Sequence, residues 1–381
     1  MQNLLRIIKN SFYLLFAEFI NKFVFYLFSL YIARIFGNEL FGIFNSILAY
    51  IMIFSVLTDF GLNNYLIREL ASKRIKLINK FNSYISFKNI LILVSIFSLF
   101  SINFIFSIYS DYSIIIILVF YLIFNSYNTF IKSIFRSKEK MYLETKMKFI
   151  EGLFLILSSS LLILIFGNFY ISLLSFPISS LIAFIIFSRK LPKKIILNFK
   201  LKKNKLKKVY VDIYPFGFSA LFVILLTNLP IILINVFKGD VDVSYYSAAF
   251  NIITLMNMIP SLINASFYPF LSNKSKNILD VNKSIVFYFV ILLFLSFLLI
   301  IILNLFAEEI VYLMYGNNFK GAILSLKILS YSLPFSFLCG FFGIILSSLN
   351  KQKLSMKILF YILLLNLFLY LILINQVSIE A

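Results

Sequence analysis

Residues 28–76 read FSLYIARIFGNELFGIFNSILAYIMIFSVLTDFGLNNYLIRELASKRIK, and this stretch decides the fold of the chain. A first apolar segment ends at Arg34, and a short turn bounded by Gly37 and Gly42 follows it. A second apolar segment continues to Asp59 before the chain becomes basic. A helix needs about 20 mainly apolar residues to cross a bilayer. The stretch therefore predicts two transmembrane helices joined as a hairpin.

The composition of the whole chain is typical of a membrane protein. Of its 381 residues, 61% are hydrophobic and only 13% are charged, and the mean hydropathy is +0.98. Soluble domains contain roughly 45–50% apolar residues, because their surface must be largely polar. We therefore expect an all-α polytopic membrane protein.

Apolar segments of crossing length recur along the chain, and by the length criterion there are about eleven of them. They cover residues 11–36, 41–60, 84–108, 112–134, 149–166, 169–187, 211–237, 244–271, 285–306, 322–349 and 354–374. The longest polar stretch, residues 188–208, separates the first six segments from the last five.

That polar stretch also predicts the domain organisation. We expect an N-terminal lobe of six helices over residues 1–188, a basic cytoplasmic linker over residues 189–210 and a C-terminal lobe of about five helices over residues 211–381. Many transporters consist of two helix bundles with the substrate path between them. The predicted architecture is therefore two helical bundles around a central cavity.

The position of the basic residues explains the formal net charge of +20. Lys and Arg are concentrated in alternate loops, at residues 6–9, 73–80, 136–148, 189–208, 274–283 and 351–353. The opposite loops are short and acidic or neutral, at residues 37–39, 110–111, 167–168, 239–242, 308–309 and 316–318. Basic loops stay cytoplasmic during insertion. We therefore expect a multi-pass protein of the cell membrane with a cytoplasmic N-terminus, and no binding of nucleic acid.

An ordered set of short motifs resembles the polysaccharide flippase family, within the superfamily of multidrug, oligosaccharide-lipid and polysaccharide exporters. The motifs are AR-x-x-G-x-x-x-F-G at residues 33–42, Asp59-Phe60-Gly61, Arg68-Glu69, Ile259-Pro260, YGNNF at residues 315–319 and Leu333-Pro334. The resemblance extends over nearly the whole chain. It implies two six-helix lobes related by a pseudo-two-fold axis along the membrane normal.

The number of predicted spans departs from this family. Six and five spans make eleven, whereas the family normally has twelve or fourteen. An odd number places the tail, residues 376–381, outside the cell, which agrees with its lack of lysine. The resemblance therefore predicts that a final helix has been lost by truncation or frameshift, and an inactive member of the family is one alternative.

Charged residues inside apolar spans are the candidate functional residues, because a charge in a bilayer must face a partner or water. Glu18 and Lys22 lie one helical turn apart and can pair with each other. They are either a structural pair or residues that line the cavity. Arg34, at the outer end of the first span, is either a ligand for an anionic substrate or an anchor, which would reach the headgroups or pack against the protein.

Four further charges are candidates in the second span and the second lobe. Asp59 and Arg68 flank the inner end of the second span, where they form a gate or simply stabilise the helix end. Lys327 is the best second-lobe candidate for an anionic ligand, and Asp212 comes next.

Polar side chains in the seventh and eighth predicted spans complete the candidate site. Asn228 and Asn257 are the side-chain amides in these spans that we expect to line the cavity. Amides and aromatic faces bind sugars, so such residues suit a glycan path. The alternative is interhelical hydrogen bonding, which membrane bundles use routinely.

The residues that are missing exclude several kinds of chemistry. The chain has no histidine and one cysteine, which excludes a histidine proton relay and a His-ligated metal site. Every predicted outer loop is only a turn, which argues against a membrane polymerase or ligase. We expect no catalytic residues, no metal and no cofactor.

The resemblance implies a flippase for a polyprenyl-diphosphate-linked oligosaccharide in O-antigen, capsule or exopolysaccharide assembly. Its partners would be that lipid-linked glycan, the membrane lipids and the polysaccharide polymerase machinery. Lys and Arg suit a diphosphate in a site of low dielectric constant. A lipid II flippase and a cation-coupled multidrug exporter of the same superfamily are the alternatives.

Overall fold

The computed structural model describes the backbone of residues 2–71, 77–106, 111–191, 203–260, 278–348 and 351–373. The described side chains leave out residues 1–11, 68–83, 106–110, 192–209, 261–284, 347–350, 373–381 and some single positions, among them Asp212. In the described ranges the secondary structure is helical, without strands. The all-α fold class expected from the sequence is therefore confirmed.

The longer helices have the following bounds. They are α1 (Gln2–Asp59), α2 (Leu62–Ala71), α3 (Leu77–Phe106), α4 (Tyr112–Ser137), α5 (Met141–Phe166), α6 (Phe169–Ser172), α7 (Ser175–Ser188) and α8 (Lys203–Lys238). After them come α9 (Asp240–Met256), α10 (Ile278–Leu305), α11 (Ala307–Tyr315), α12 (Gly321–Ser330), α13 (Leu333–Ser348) and α14 (Gln352–Leu373), with a 3₁₀ turn at Asn317–Phe319.

The predicted hairpin is present as two helices that meet at Gly37 within α1. Gly37 has φ 80° and ψ −173°, a conformation that glycine adopts without steric cost. The apolar part of α1, Leu15–Asp59, has 45 residues. At about 1.5 Å per residue it is roughly twice as long as a hydrocarbon core. The segment therefore provides two crossings.

Eight helices in the described ranges are long and apolar enough to span a membrane, or nine if the bent pair α12 and α13 counts as one span. This count is below the predicted eleven for two reasons. The first two predicted spans lie in the single helix α1. The eighth predicted span continues past α9 into residues outside the description.

The bend between α12 and α13 divides the predicted tenth span. The two helices meet at 47°. Pro334, in the first turn of α13, has no N–H to donate to the preceding helix. The last turn of α12 tightens instead, since the N–H of Ser332 bonds to the carbonyl of Leu329 at 3.0 Å. Proline thus explains the break.

The described contacts group the chain into two compact units. The first unit comprises residues 1–25 and 50–228. In it α7 packs against both α4 and α5, and α2 packs against α4. Asp111 begins α4 by accepting the Ser113 backbone N–H at 2.9 Å, a bond that lowers the pKa of the Asp111 carboxyl.

The second unit comprises residues 26–49 and 229–381. In it α9 packs against α12, and α10 packs against α13. An aromatic cluster ties the hairpin to this unit, because the ring of Phe41 contacts the rings of Tyr315 and Phe319 at centroid distances of 5.8 and 5.6 Å.

These units differ from the predicted lobes in two places. Residues 26–49 group with the second unit, and the described part of α8 up to residue 228 groups with the first. Two glycine contacts show why. A Cβ at Gly42 would lie 1.8 Å from the carbonyl oxygen of Asp240, and a Cβ at Gly61 would lie 2.6 Å from the backbone nitrogen of Gly217. Of the predicted linker, residues 192–202 lie outside the description.

Candidate functional site

The first unit contains a polar cavity of about 490 Å³, which we call the first-unit cavity. Residues of α1, α2, α4, α5 and α7 line it. Its polar and charged lining residues are Asn21, Lys22, Asn63, Asn64, Tyr121, Asn125, Thr129, Lys132, Ser133, Arg136, Glu144, Lys148, Glu151, Ser179 and Ser180. Such a set of polar groups in an apolar bundle indicates a functional site.

One group of ion pairs at the cavity is centred on Glu144, whose side chain is 1% exposed. Arg136 binds both carboxylate oxygens of Glu144, with its Nε 3.0 Å from Oε2. Lys148, one turn further along α5, lies 3.4 Å from the same carboxylate. Lys148 also donates a 2.6 Å hydrogen bond to Glu18 of α1. The group therefore connects α4, α5 and α1.

A second ion pair joins α4 and α5 on the same cavity. The ammonium of Lys132 donates to Oε2 of Glu151. Their side chains are 13% and 16% exposed. The other carboxylate oxygen of Glu151, Oε1, is buried and has no hydrogen-bond partner. Asn63 also lines the cavity, and its side-chain oxygen is likewise buried without a hydrogen-bond partner.

A close approach of two helices positions Glu151. A Cβ added at Gly152 would lie 2.7 Å from Cγ1 of Val24, so only glycine lets α5 come this close to α1. Val24 and Gly152 both belong to the cavity lining. The glycine therefore fixes the distance between the helices that carry Lys22 and Glu151.

Lys22 is the predicted cavity residue that the structure places in this site. Its side chain is half-buried. The expected pair with Glu18 is not formed, because the carboxylate of Glu18 is bonded to Lys148 and lies 3.9 Å from Arg136. Among the described residues, no carboxylate lies within ion-pair distance of Lys22. Glu18 itself is not part of the cavity lining.

Basic residues outnumber acidic ones in the lining. The cations are Lys22, Lys132, Arg136 and Lys148, and the carboxylates are Glu144 and Glu151. Since each carboxylate already has a cationic partner, the site carries an excess of positive charge. An anionic ligand is therefore favoured over a cationic one.

Asp59 has a partner other than the expected Arg68. Its carboxylate lies 3.8 Å from the ammonium of Lys88, whose side chain is 1% exposed. Lys88 also lies over the ring of Phe130, 5.7 Å from its centroid. The side chain of Arg68, like that of Asp212, lies outside the described residues.

In the second unit Arg34 binds the end of a helix. Its guanidinium donates to the backbone carbonyls of Leu313 and Met314, and the Met314 bond is 2.8 Å long. These carbonyls belong to the last turn of α11. Helix C-termini carry unpaired carbonyls and a partial negative charge, which a cation stabilises. Arg34 therefore has a structural role here.

The remaining predicted residues are placed as follows. Lys327 is half-buried in α12 of the second unit. Asn228 bonds within α8, since its side-chain N–H donates to the carbonyl of Ile224 at 3.0 Å. Asn257 accepts a 2.7 Å hydrogen bond from Ser336 of α13, which is an interhelical contact within the second unit.

Lys88, Lys132 and Glu151 were not among the predicted site residues, although each lies inside a predicted span. Like Glu18 and Lys22, they are charges in an apolar span and so must face a partner or water. Arg136 and Lys148 were predicted to lie in a basic loop, whereas they lie within α4 and α5. The nearby acidic residues Glu144 and Glu18 were the sequence signal that they could form ion pairs.

Solved structures with similar folds are transporters. An inward-facing multidrug resistance MATE family transporter of the MOP superfamily has a TM-score of 0.65 and 14% identity, with 90% of this chain and 83% of that chain covered. The outward-facing conformation of a MATE family transporter has a TM-score of 0.61 and 14% identity, with coverages of 98% and 89%. At such identities the likeness shows the fold.

A third similar structure is a MOP superfamily transporter from Pyrococcus furiosus. It has a TM-score of 0.64 and 14% identity, with 93% of this chain and 84% of that chain covered. For that protein a reversed polarity of the binding pocket is taken to suggest a different function. No curated protein sequence matches the chain.

Two family profiles match the sequence. The MatE profile matches residues 215–372. The profile described as polysaccharide biosynthesis protein matches residues 7–275, which is more than half of the chain. Together with the helical fold and the charged cavity, these matches show that the chain belongs to the polysaccharide biosynthesis protein family, within the MOP superfamily of transporters.

Proposed function

We propose that the protein is a flippase that moves a polyprenyl-diphosphate-linked oligosaccharide across the cell membrane for O-antigen, capsule or exopolysaccharide assembly. The observation that carries this proposal is the positive excess of the first-unit cavity, in which no described carboxylate lies within ion-pair distance of Lys22. A diphosphate carries negative charge that an ammonium or guanidinium compensates, most strongly where water is scarce.

The neutral polar groups of the cavity support a glycan as the second part of the substrate. Asn21, Asn64, Asn125 and Thr129 line it beside the charged residues. Amides and hydroxyls both donate and accept hydrogen bonds, as sugar hydroxyls do. The substrate class therefore follows from two features together: positive charge for the diphosphate and polar side chains for the sugar.

A cation-coupled multidrug exporter is the second candidate, and the fold similarity to MATE transporters favours it. A cationic drug needs a carboxylate that is free to pair with it. Glu144 is bonded to Arg136 and Lys148, and Glu151 is bonded to Lys132. The cavity therefore offers little attraction to a cation. A lipid II flippase also transports a polyprenyl diphosphate. The positive charge of the cavity would therefore suit that substrate as well.

Complementation tests the choice between the two candidates. The chain is expressed in a strain that lacks its own O-unit flippase, and surface polysaccharide is measured together with resistance to cationic dyes. We expect polysaccharide to return and dye resistance to stay at the level of the empty vector. Dye efflux without surface polysaccharide would reject the flippase proposal in favour of the drug exporter.

A further inference from the structure

The first-unit cavity contains hydrogen-bonding capacity that its own residues leave unused. Glu151 lines the cavity, and its Oε1 is buried without a hydrogen-bond partner. Asn63, also in the lining, has a buried Oδ1 in the same condition. Buried polar atoms in proteins are nearly always hydrogen-bonded, because an unpaired one costs free energy. Both unused atoms are acceptors, so a ligand that satisfies them must bring donors.

The cations of the cavity impose the opposite requirement. Lys22 has only donor hydrogens to offer, and among the residues described no carboxylate lies within ion-pair distance of it. A ligand that satisfies it must bring acceptors. One ligand must therefore present an anionic group and hydrogen-bond donors together.

A diphosphate meets only the first requirement. At a pH well above its second pKa, about 6 for a phosphate monoester, the group is ionised and has acceptor oxygens but no O–H. The donors must therefore come from the sugar that is attached to it, through its hydroxyls or an amide N–H. This step rests on the proposed function, which supplies the diphosphate.

We infer that Glu151 is a specificity-determining residue that accepts a hydrogen bond from the sugar next to the diphosphate, with Asn63 as a second acceptor. Lys132 holds Oε2 of Glu151, so the carboxylate is oriented before the substrate arrives. A lipid diphosphate without a sugar leaves the acceptors unsatisfied. The site therefore distinguishes a lipid diphosphate that carries a sugar from one that does not. A flippase must transport the first and not the second.

Binding to the full-length protein in lipid nanodiscs tests the inference. The two probes are undecaprenyl diphosphate and undecaprenyl-diphosphate-linked N-acetylglucosamine, measured at about pH 8 so that the phosphates are ionised. We expect the sugar-linked probe to bind about tenfold more tightly to the wild type, since hydrogen bonds to charged groups are the strong ones. In Glu151→Gln most of this advantage should disappear, while the bare diphosphate binds at least as well, because Lys132 is released.

The matched control is Glu18→Gln, which removes a carboxylate that is bonded to Lys148 but does not line the cavity. It should keep the sugar advantage. Asn63→Ala breaks no ion pair and should lose part of the advantage. It therefore tests the inference even if Glu151→Gln fails to fold.

Three results would contradict the inference. An equal sugar advantage in the wild type and in both cavity variants would overturn it and leave the proposed function intact. Loss of the advantage in Glu18→Gln as well would assign the effect to general disruption and also overturn it. If neither probe binds the wild type, the proposed function fails, and the inference fails with it.

Discussion

The guanidinium of Arg34 donates a 2.8 Å hydrogen bond to the backbone carbonyl of Met314, 280 positions later in the chain. The accepting carbonyl lies in the last turn of α11, and both residues belong to the second unit. The sequence offered Arg34 either as a ligand for an anionic substrate or as an anchor. The described contacts of its guanidinium are with the backbone carbonyls of Leu313 and Met314.

We predict that Arg34→Gln destabilises the protein by about 1–2 kcal/mol, because it removes a cation and hydrogen bonds from a helix C-terminus. Thermal unfolding in detergent measures the change. Arg34→Lys should retain part of the stability, since it keeps the charge but not the fork of donors. Unchanged stability in Arg34→Gln would show that the helix end does not depend on this contact.

The ion pair of the buried Lys88 with Asp59, whose side chain is 25% exposed, should be more sensitive to the loss of Asp59 alone than to the loss of both partners. We expect Asp59→Asn to destabilise by about 3 kcal/mol, because it leaves the ammonium of Lys88 buried without its counter-charge. The double variant Asp59→Asn with Lys88→Met should be more stable than Asp59→Asn alone. If the double variant is the less stable of the two, the pair is not the reason for the loss.

A third prediction concerns the glycine contact inside the first unit. Gly61 has φ 79°, and a Cβ there would lie 2.6 Å from the nitrogen of Gly217. Gly61→Ala should therefore destabilise by more than about 1 kcal/mol, from backbone strain and overpacking together. The control is Gly343→Ala, where a Cβ meets nothing within 4 Å. Equal stability of the two variants would contradict the proposed tight contact.

Lys22 should be needed for transport and not for folding. We predict that Lys22→Gln lowers flippase activity at least tenfold, because a cation of the cavity lining is lost, while stability changes by less than about 0.5 kcal/mol. The activity is read as surface polysaccharide in the complemented strain. Lys146→Gln, at an exposed lysine of α5, is the control and should be active. Full activity of Lys22→Gln would remove this residue from the substrate site.

The orientation in the membrane is predicted from the loops alone. Reporter fusions in residues 188–208 should be active on the cytoplasmic side, as should fusions near the N-terminus, because both segments are rich in lysine. Fusions at residues 308–309 should report the outside. Labelling of residues 188–208 from outside intact cells would reverse the topology.

The sequence was sufficient for the helices but not for their partners. Span lengths and Gly37 identify the hairpin because apolar length and backbone freedom are local properties. Glu18 bonds to Lys148 and not to Lys22, and this depends on which helices are neighbours. Helix spacing alone places Lys22 one turn from Glu18 on α1. Only the packing of α5 against α1 places Lys148 beside Glu18.

The site residues that were not predicted also show this difference between local sequence and helix packing. Lys132 and Glu151 were recognisable as charges inside spans, but their pairing required α4 and α5 to be adjacent. Arg136 and Lys148 were harder, because a basic residue at a helix end has the same local sequence whether it faces water or a buried carboxylate. Here the buried carboxylate is Glu144, which is 1% exposed and pairs with Arg136.

The grouping of residues 26–49 with the second unit limits how the protein can be taken apart. Cleavage between residues 188 and 211 should not yield two self-sufficient halves, because the N-terminal fragment would separate Phe41 and Arg34 from Phe319 and Met314, which they contact. The C-terminal fragment in turn takes α8 away from Gly61. Chimeras between relatives should therefore exchange residues 26–49 together with residues 229–381, so that each exchanged segment keeps its native packing partners.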